Sequence, residues 1–469
     1  MSPTKQVGTE TRPKRVAIIG SGPTGFYTAD HLLKQDIVSV EIDMFDRLPT
    51  PYGLVRGGVA PDHPKIKNVT KAFDRIAAKP NVHFYGYVEY GKDIGLEDLK
   101  KHYHQIVFTT GAQTDRTLNI SGIDLNGSHS ATEFVAWYNG HPDYRDLHFD
   151  LSQEKAAVIG VGNVAADVAR ILCRTEEELL TTDIADYALE ALSKSNVKEV
   201  HVLGRRGIAQ AKFTNPEIKE LSELTGADVF TLPDEVELDE LSQDFLESSQ
   251  DRTLTKKINL LQSFAEHEPT GKPRKLILRF LVSPVELKGD GKGNVTSMRL
   301  VRNVLYKTEA GTLRPRHTEE YEELPVGLVF RSIGYRGVPL PGVPFNEDWG
   351  VIHNRKGRVI NPETQKPIPG LYTAGWIKRG PTGVIGTNKP DAGETVDCMI
   401  EDIVQGFHLK PTEPEVESAK ATISQRKPDY FSYQDWLRIN EIEITKGKEQ
   451  GRPRVKFTKI KDMLSALDK

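Results

Sequence analysis

The chain has 469 residues, of which 38% are hydrophobic and 27% are charged, and its net charge is −4. This length predicts two or three domains, and the small net charge argues against a general affinity for nucleic acid. The sequence has no run of about 18 apolar residues, so we predict no membrane-spanning helix. The polar segment 1–14 lacks the apolar core of a secretory signal. We therefore expect a cytoplasmic protein with a flexible tail over residues 1–14.

The first predicted unit is a strand, a glycine-rich loop and a helix. A buried strand begins at Arg15 and leads into Gly20, Gly22 and Gly25, which match the dinucleotide fingerprint. The first glycine permits the turn, the second lets the backbone approach a pyrophosphate, and the third lets the helix pack on the strand. About 20 positions later a second strand ends at Asp46, whose carboxylate suits an adenosine ribose. We predict a dinucleotide site; a purely structural glycine turn is the alternative.

The pattern returns in the middle of the chain. A second buried strand leads into Gly160, Gly162 and Ala165, and the motif tolerates alanine at its last position. The following strand ends at Arg205 and Arg206, where a site for NAD would offer a carboxylate. Guanidinium groups match the geometry and charge of a phosphate, so this pair predicts the 2′-phosphate of NADP. An arginine pair that is merely solvated at a strand end is the alternative.

Two fingerprints in one chain imply two dinucleotide cofactors, one held and one exchanged. The reaction that needs both is hydride transfer from a nicotinamide to a flavin. Cys173 and Cys398 form no CxxC motif, which argues against a dithiol redox centre. His102 and His104 have no third ligand nearby in the sequence, so we predict no metal site.

The remaining elements predict how the domains are arranged. Residues 276–287 and 295–304 alternate in polarity like antiparallel strands, with the turn at 289–293. A further apolar strand over 327–333 precedes a glycine-rich loop at 380–386. The predicted class is α/β, with two Rossmann-like three-layer dinucleotide-binding domains, the NADP domain inserted in the FAD domain. We predict an FAD domain from residues 15–111 and 325–469 and an NADP domain at 112–324.

Several further motifs occur in one consistent order along the chain. They are Gly53-Leu54-Val55-Arg56, the run from Gly58 through Asp62-His63-Pro64, Gly204-Arg205-Arg206-Gly207, Phe213 with Glu217, and Gly375-Trp376-Ile377-Lys378-Arg379-Gly380-Pro381. With the two fingerprints they extend from Arg15 to about Asp397. The chain therefore resembles the adrenodoxin reductase family, the NADPH:ferredoxin oxidoreductases.

The resemblance assigns most of the residues that hold the two cofactors. It implies FAD contacts at Gly20, Gly22, Pro23, Thr24, Gly25, Asp46, Leu54, Val88, Trp376, Gly383, Val384 and Ile385. It implies NADP contacts at Gly162, Asn163, Val164, Ala165, Arg205, Arg206, Glu217 and Gly383. Asp46 departs from the family, which commonly has a glutamate at this position. Trp376 stands where the wider two-dinucleotide flavoproteins usually have an aspartate, which fits this family and argues against a general disulfide reductase.

The resemblance also implies roles for two side chains near the reacting rings. His63 matches an active-site histidine beside the flavin, and Glu217 would orient the nicotinamide ribose or carboxamide. The alternatives are a structural histidine in a proline-rich turn and a surface glutamate on a helix.

The implied activity is transfer of hydride from NADPH to FAD and then of single electrons to a ferredoxin-like iron–sulfur protein. Ferredoxins tend to be acidic, so we expect a local basic docking face. The candidates are Arg252, Lys256 and Lys257, followed by Lys272, Arg274 and Lys275. A solvated charge run is the alternative for this face. A quinone or other small acceptor, and a non-catalytic NADP-binding protein, remain as alternative functions, and the oligomeric state is left open.

Overall fold

A computed structural model describes residues 8–469. In that part of the chain the β-strands are β1 (Lys14–Ile19), β2 (Val40–Asp46), β3 (Val82–Gly86), β4 (Gln105–Phe108), β5 (Thr114–Asp115), β6 (Ser128–Ser130), β7 (Lys155–Ile159), β8 (Glu199–Leu203), β9 (Ala227–Thr231), β10 (Arg274–Arg279), β11 (Val282–Gly289), β12 (Val295–Lys307), β13 (Leu313–Pro325), β14 (Leu328–Arg331), β15 (Tyr335–Arg336), β16 (Phe345–Asn346), β17 (Val351–Ile352), β18 (Asn354–Arg355), β19 (Arg358–Ile360) and β20 (Pro367–Thr373).

The same residues form α-helices of 4 to 17 residues. They are α1 (Pro23–Lys34), α2 (Leu54–Gly57), α3 (Pro64–Lys67), α4 (Thr70–Ala77), α5 (Leu96–His102), α6 (Ala131–Tyr138), α7 (Asn163–Cys173), α8 (Glu176–Leu180), α9 (Asp186–Ser193), α10 (Asn215–Ser222), α11 (Pro233–Val236), α12 (Glu240–Ser249), α13 (Arg252–Ser263), α14 (Trp376–Arg379), α15 (Asn388–Val404), α16 (Val416–Arg426), α17 (Tyr433–Glu449) and α18 (Ile460–Ser465). Between residues 8 and 469 we find no helix with the length and apolar character needed to cross a bilayer.

The first sheet has seven strands in the order β18-β19-β20-β4-β1-β2-β3, and those from β20 to β3 run parallel. Its strands are buried on both faces, which explains why β1 reads as a continuous apolar run. Alternate residues of β1 enter two different cores: Val16 and Ile18 pack with α1 and α15, while Ala17 and Ile19 pack with α5 and α16. The sheet is therefore the middle of three layers.

The second sheet has six parallel strands in the order β6-β14-β7-β8-β10-β9. One face packs on helices that include α6, α7 and α13, through side chains such as Val158 and Val202. The other face, with Ala157 and Ile159, packs on a separate three-stranded antiparallel sheet, β11-β12-β13. This domain also has three layers, but one of them is a β-sheet instead of helices.

The predicted strand over 276–287 was wrong as a single element. It divides into β10, which joins the parallel sheet, and β11, which pairs with β12 in the antiparallel one. The break falls at Leu281, whose φ of +56° turns the chain between the two sheets. Alternating polarity in sequence does not reveal which sheet a strand joins, because both sheets bury one face against the same core.

Two predicted boundaries lie close to described elements. Strand β14 pairs with β6 and β7, so the second sheet includes a strand that follows residue 325, where we predicted that the FAD domain resumes. The predicted tail falls partly outside the described residues, at 1–7. From Gly8 onward it is hydrogen-bonded: the Gly8 carbonyl accepts from Ser39 N–H at 3.0 Å, and Lys14 already belongs to β1.

The chain crosses between the two sheets twice, and the crossing segments pair with each other. Strands β5 and β15 form a two-stranded antiparallel ribbon in which Tyr335 faces Asp115. The Asp115 carboxylate accepts from the hydroxyls of Ser130 and Thr132 at the start of α6. On the other side, the Tyr335 ring lies 5.5 Å from the ring of Trp376. The ribbon therefore contacts both domains at the point where the chain crosses between them.

Candidate dinucleotide sites and the cleft between them

The first glycine loop has the shape that a pyrophosphate needs. Gly20 has a φ of +112°, and a Cβ there would lie 2.7 Å from the Thr109 carbonyl oxygen. A Cβ on Gly25 would lie 2.1 Å from the Gly20 carbonyl, so only glycine lets α1 approach this closely. Gly22 is different: its nearest neighbour would be the Gly53 Cα at 4.0 Å, and no side chain caps α1. Open space and free helix N–H groups together fit a bound phosphate.

The end of β2 brings the predicted ribose carboxylate beside this loop. Asp46 accepts hydrogen bonds from Ser21 N–H at 3.0 Å, from the Ser21 hydroxyl at 2.6 Å and from Leu48 N–H at 3.0 Å. Val88 N–H donates to the Asp46 carbonyl at 2.9 Å, so Val88 lies next to it. These bonds fix the carboxylate at the strand end.

The C-terminal third completes the first site. A Cβ on Gly375 would lie 2.3 Å from the Thr24 hydroxyl oxygen, so the turn into α14 touches α1 directly. Trp376 follows at once, and its indole N–H donates to the Thr382 carbonyl at 3.1 Å, next to Gly383. Leu54 and Val384 expose 37% and 55% of their surface. Exposed apolar side chains beside a phosphate loop fit the wall of a flavin site.

The second loop repeats the first with one substitution. Gly160 has a φ of +130°, and a Cβ there would lie 2.2 Å from the Ser332 carbonyl. Nothing lies within 4 Å of a Cβ on Gly162, and α7 has no side-chain cap. Ala165 is fully buried in the position where α1 has Gly25. The Asn163 side chain accepts from Thr214 N–H at 3.0 Å, which ties the loop to the segment before α10.

Positive charge is concentrated beside this second loop. Arg205 is exposed and Arg206 half-buried after the end of β8. The Arg205 carbonyl accepts from the buried Asn303 side chain at 2.8 Å, so the antiparallel sheet supports the arginine pair. Burial, together with the charges of Arg205 and Arg314, lowers the pKa of Arg206. Three guanidinium groups whose charges act on one another in this way fit an anionic ligand such as a 2′-phosphate.

His63 and Glu217 lie close together in the structure, although they are far apart in the sequence. One side-chain atom of His63, Asp167 and Glu217 each lies within 4.8 Å of the others. His63 Nε2 is hydrogen-bonded to Glu220 Oε2 at 2.6 Å, rather than to Glu217. Both predicted residues are buried, so neither is a surface side chain.

The charged partners of this pair were not predicted from the sequence. Arg170 Nη1 lies 3.3 Å from Glu217 Oε2, and Arg170 also binds Asp62 and Asp167. Burial raises the pKa of Glu217 to about 7; the neighbouring Asp167 adds to this shift, and Arg170 opposes it. A signal was available: Asp167 and Arg170 are charged residues three apart in an otherwise apolar helix, which predicts a buried ion pair.

The predicted docking residues divide into two groups. Arg252 and Lys256 lie exposed on α13, and α13 is joined to α10 by a bond from the Asn215 side chain to the Thr253 carbonyl at 3.0 Å. Lys257 instead turns inward and donates to the Ala211 carbonyl at 2.5 Å. The side chains of Lys272 and Arg274 likewise donate to backbone carbonyls, and Lys275 is exposed.

Comparison with known proteins bears on the whole chain. Residues 14–229 match the pyridine nucleotide-disulphide oxidoreductase family. The NADPH-ferredoxin reductase FprA of Mycobacterium tuberculosis is 43% identical over 461 residues, which cover 97% of this chain and 99% of that protein. The mitochondrial NADPH:adrenodoxin oxidoreductase of Arabidopsis thaliana is 38% identical over 466 residues, covering 97% and 96%.

The chain belongs to the adrenodoxin reductase family of NADPH:ferredoxin oxidoreductases. A solved structure, Mycobacterium tuberculosis FprA in complex with NADPH, superposes with a TM-score of 0.91 at 42% identity and covers 97% of this chain and 100% of that chain. These findings confirm the predicted family, the two-domain α/β fold and the cofactor pair FAD and NADP(H). The matched family is named for disulphide oxidoreductases, but the two cysteines of this chain form no pair. Cys173 and Cys398 are buried free thiols on separate helices, α7 and α15.

Proposed function

We propose that this NADPH:ferredoxin oxidoreductase family member takes hydride from NADPH on an FAD group and passes electrons singly to a ferredoxin-like iron–sulfur protein. One observation carries the proposal: the chain has two glycine loops at helix N-termini with opposite charge at the ends of the neighbouring strands, and side-chain atoms of His63 and Glu217 lie within 4.8 Å of each other. The names of the relatives, an NADPH-ferredoxin reductase and an NADPH:adrenodoxin oxidoreductase, support this class of acceptor.

We assign FAD to the domain built on the first sheet. Its contacts would be Gly20, Gly22, Pro23, Thr24, Gly25, Asp46, Leu54, Val88, Trp376, Gly383, Val384 and Ile385. The carboxylate of Asp46 favours a ribose hydroxyl and repels a 2′-phosphate. The chain would leave this domain at β5 and return to it at β15, which pairs with β5. Strand β14, which pairs with β7, would then belong to the NADP domain.

We assign NADP to the domain built on the second sheet. Its contacts would be Gly162, Asn163, Val164, Ala165, Arg205, Arg206 and Glu217, with Gly383 reaching in from the FAD side. A hydrogen bond to a charged group contributes about 1.5–3 kcal/mol, which corresponds to roughly 10- to 100-fold per arginine in preference for NADPH over NADH.

Bound FAD supplies the conversion of a two-electron hydride into two single electrons, and the protein supplies position and charge. With both cofactors bound, His63 and Glu217 would orient the nicotinamide and keep water from the reacting rings. Because the pKa of Glu217 is raised to about 7, this side chain is divided between its two protonation states near neutral pH. It can therefore donate or accept a hydrogen bond at the nicotinamide carboxamide.

We assign ferredoxin docking to the exposed face of α13. Arg252 and Lys256 point outward there, and α13 adjoins α10, which carries Glu217. Lys257 leaves the proposed face, since its ammonium group is bound to the Ala211 carbonyl. Charges that steer an acidic partner act on the encounter rate and weaken as salt is added.

The first experiment is anaerobic reduction of the purified protein. We expect a yellow protein whose flavin absorbance bleaches with NADPH at least about tenfold faster than with NADH. Ferredoxin with cytochrome c as the final acceptor then tests the electron partner. A protein that holds no flavin after reconstitution, or that reacts equally with both nucleotides, would contradict the assignment.

Docking is tested by the double variant Arg252→Ala, Lys256→Ala. We expect ferredoxin-dependent turnover to fall several-fold at low salt while ferricyanide reduction is unchanged. The matched control is Lys194→Ala, Lys198→Ala. It removes two exposed cations just before β8, at the opposite end of this strand from Arg205. An equal loss in both variants, or in both assays, would refute docking on α13.

A further inference from the structure

One buried arginine bonds residues of both domains. Arg170 lies on α7, and its side chain is fully buried. Its Nε and Nη2 form a fork on Asp62 at 2.6 and 3.1 Å. The remaining donors reach Asp167 at 2.6 Å and Glu217 at 3.3 Å. A single guanidinium therefore binds the FAD-side loop through Asp62 and two helices of the NADP side, α7 and α10.

The sequence neighbours of these contacts make the position significant. Asp62 directly precedes His63, so the fork on Asp62 fixes the backbone that carries the histidine. Arg170 itself lies on α7, seven residues after Asn163, the first residue of this helix, and Asn163 follows Gly162 of the phosphate loop. A helix rises 1.5 Å per residue, so about 10 Å of rigid helix separates the guanidinium from the phosphate loop. Arg170 is the link between those two points.

The charge balance of the cleft depends on the same residue. Asp62, Asp167, Glu217 and Glu220 place four carboxyl groups around it. The neighbouring Arg174 binds Asp62 and, outside this group, Glu178. Burial and mutual repulsion disfavour so many negative charges. The guanidinium is thus the compensating charge that Asp167 and Glu217 share, beside the imidazole of His63.

We propose that Arg170 is a positioning residue for hydride transfer, which holds the His63 loop at a fixed distance from the NADP-binding helix and supplies the positive charge that Glu217 faces. This inference rests on the proposed function, because it concerns the same cleft. Arg170 touches neither nucleotide loop, so it acts through Asp62, Asp167 and Glu217.

Two substitutions separate the two parts of this role. Arg170→Lys keeps a cation but loses the fork on Asp62. We expect its limiting rate of flavin reduction by NADPH to fall about tenfold, since misplacement of about 1 Å costs as much as 100-fold, with little change in the pH midpoint. Arg170→Met removes the charge as well. We expect an equal or larger loss of rate and a pH midpoint raised by about one unit or more, because the carboxyl groups lose their shared cation.

The measurement is stopped-flow flavin reduction by NADPH in the holoprotein, between about pH 5.5 and 9. Glu217→Gln identifies the titrating group, because the midpoint near neutrality should disappear. The matched control is Arg174→Met, which removes a second arginine from Asp62 but no partner from Glu217. Its pH midpoint should stay at the wild-type value. If Arg170→Met does not yield folded holoprotein, Asp62→Asn replaces it and should slow the limiting rate about tenfold without raising the pH midpoint, since it removes a negative charge and keeps the cation.

The outcomes are distinguishable from failure of the proposed function. If NADPH does not bleach the flavin absorbance of the wild-type holoprotein, the proposed function itself is contradicted. A normal wild type with Arg170→Lys and Asp62→Asn both within about twofold of its rate would overturn the positioning role. A midpoint that moves equally in Arg170→Met and Arg174→Met would overturn the specific link between Arg170 and Glu217.

Discussion

The two glycine loops have nearly the same backbone and differ in the charge beside them. Gly20 and Gly160 both have a strongly positive φ, and Gly22 and Gly162 both leave open space at a helix N-terminus without a side-chain cap. The strands that run beside them end differently, at Asp46 in one sheet and just before Arg205-Arg206 in the other. The shared part fits any pyrophosphate, and we propose that the strand-end charge selects the nucleotide.

The comparison extends into the helices. The fingerprint's last position is Gly25 in α1 and Ala165 in α7, and both are buried. The buried face of α1 continues with Thr28 and Ala29, whereas α7 buries Arg170. The first helix thus packs closely on its own glycine loop, and the second carries a buried charge to Asp62 and Glu217.

The largest effect is expected from exchanging the last fingerprint residues. In Gly25→Ala the new Cβ would lie 2.1 Å from the Gly20 carbonyl oxygen, a backbone atom that cannot move without opening the loop. We expect loss of most bound FAD, measured as the ratio of flavin to protein absorbance. Ala165→Gly is the control: it should keep its flavin and lose only about 1 kcal/mol of helix stability. Full flavin content in Gly25→Ala would show that the loops are more alike than their packing indicates.

The charge at the strand ends is tested by Arg205→Ala together with Arg206→Ala. We expect kcat/KM for NADPH to fall by roughly 100-fold or more, because two charged hydrogen-bonding groups are lost. The value for NADH should change little. The control is Arg426→Ala, an exposed arginine paired with Asp98 on the FAD side. Equal losses for both nucleotides would mean that the arginines support the fold and do not recognise the 2′-phosphate.

The charge that α7 brings into the cleft predicts a pH dependence of stability. The pKa of Glu217 is raised from 4.5 to about 7, so between these values the folded state binds the proton more tightly than the unfolded state. Stability should therefore fall as pH rises from about 4.5 to 7. Glu217→Gln removes this titration, so its free energy of unfolding relative to wild type should be more favourable at pH 8 than at pH 5. The difference should be at most about 3 kcal/mol, at about 1.4 kcal/mol per pH unit. Thermal unfolding at both pH values tests this, with the exposed Glu190→Gln expected to show no such gain.

The smallest effect is expected at Arg314, on the antiparallel sheet beside the arginine pair. Its side chain is exposed and its charge acts on Arg206. Exposed charge interactions contribute about 0.2–1 kcal/mol, so Arg314→Ala should raise the KM for NADPH by no more than about fivefold. The effect should shrink at high salt. A loss as large as that of the double variant Arg205→Ala, Arg206→Ala would make Arg314 a direct phosphate ligand.

Much of the fold could be predicted because the loops are local features. The strand, the turn at Gly20 and the helix after it follow from a few adjacent residues, and so does the charge at Asp46 and Arg205. The division of 276–287 into β10 and β11 was not predictable, because the turn at Leu281 is set by packing between two sheets. The place of β14 depends on which neighbour its backbone reaches, and that is a long-range choice.

The sequence by itself predicted two bound dinucleotides, a phosphate loop for each and a 2′-phosphate on one of them, because glycine geometry and strand-end charge are properties of short segments. Only the tertiary structure brought His63 next to Glu220 and placed Arg170 between Asp62 and Glu217. It also turned Lys257 inward and left Arg252 and Lys256 outside. Such contacts join residues about 50 to more than 100 positions apart, and burial decides which charges pair.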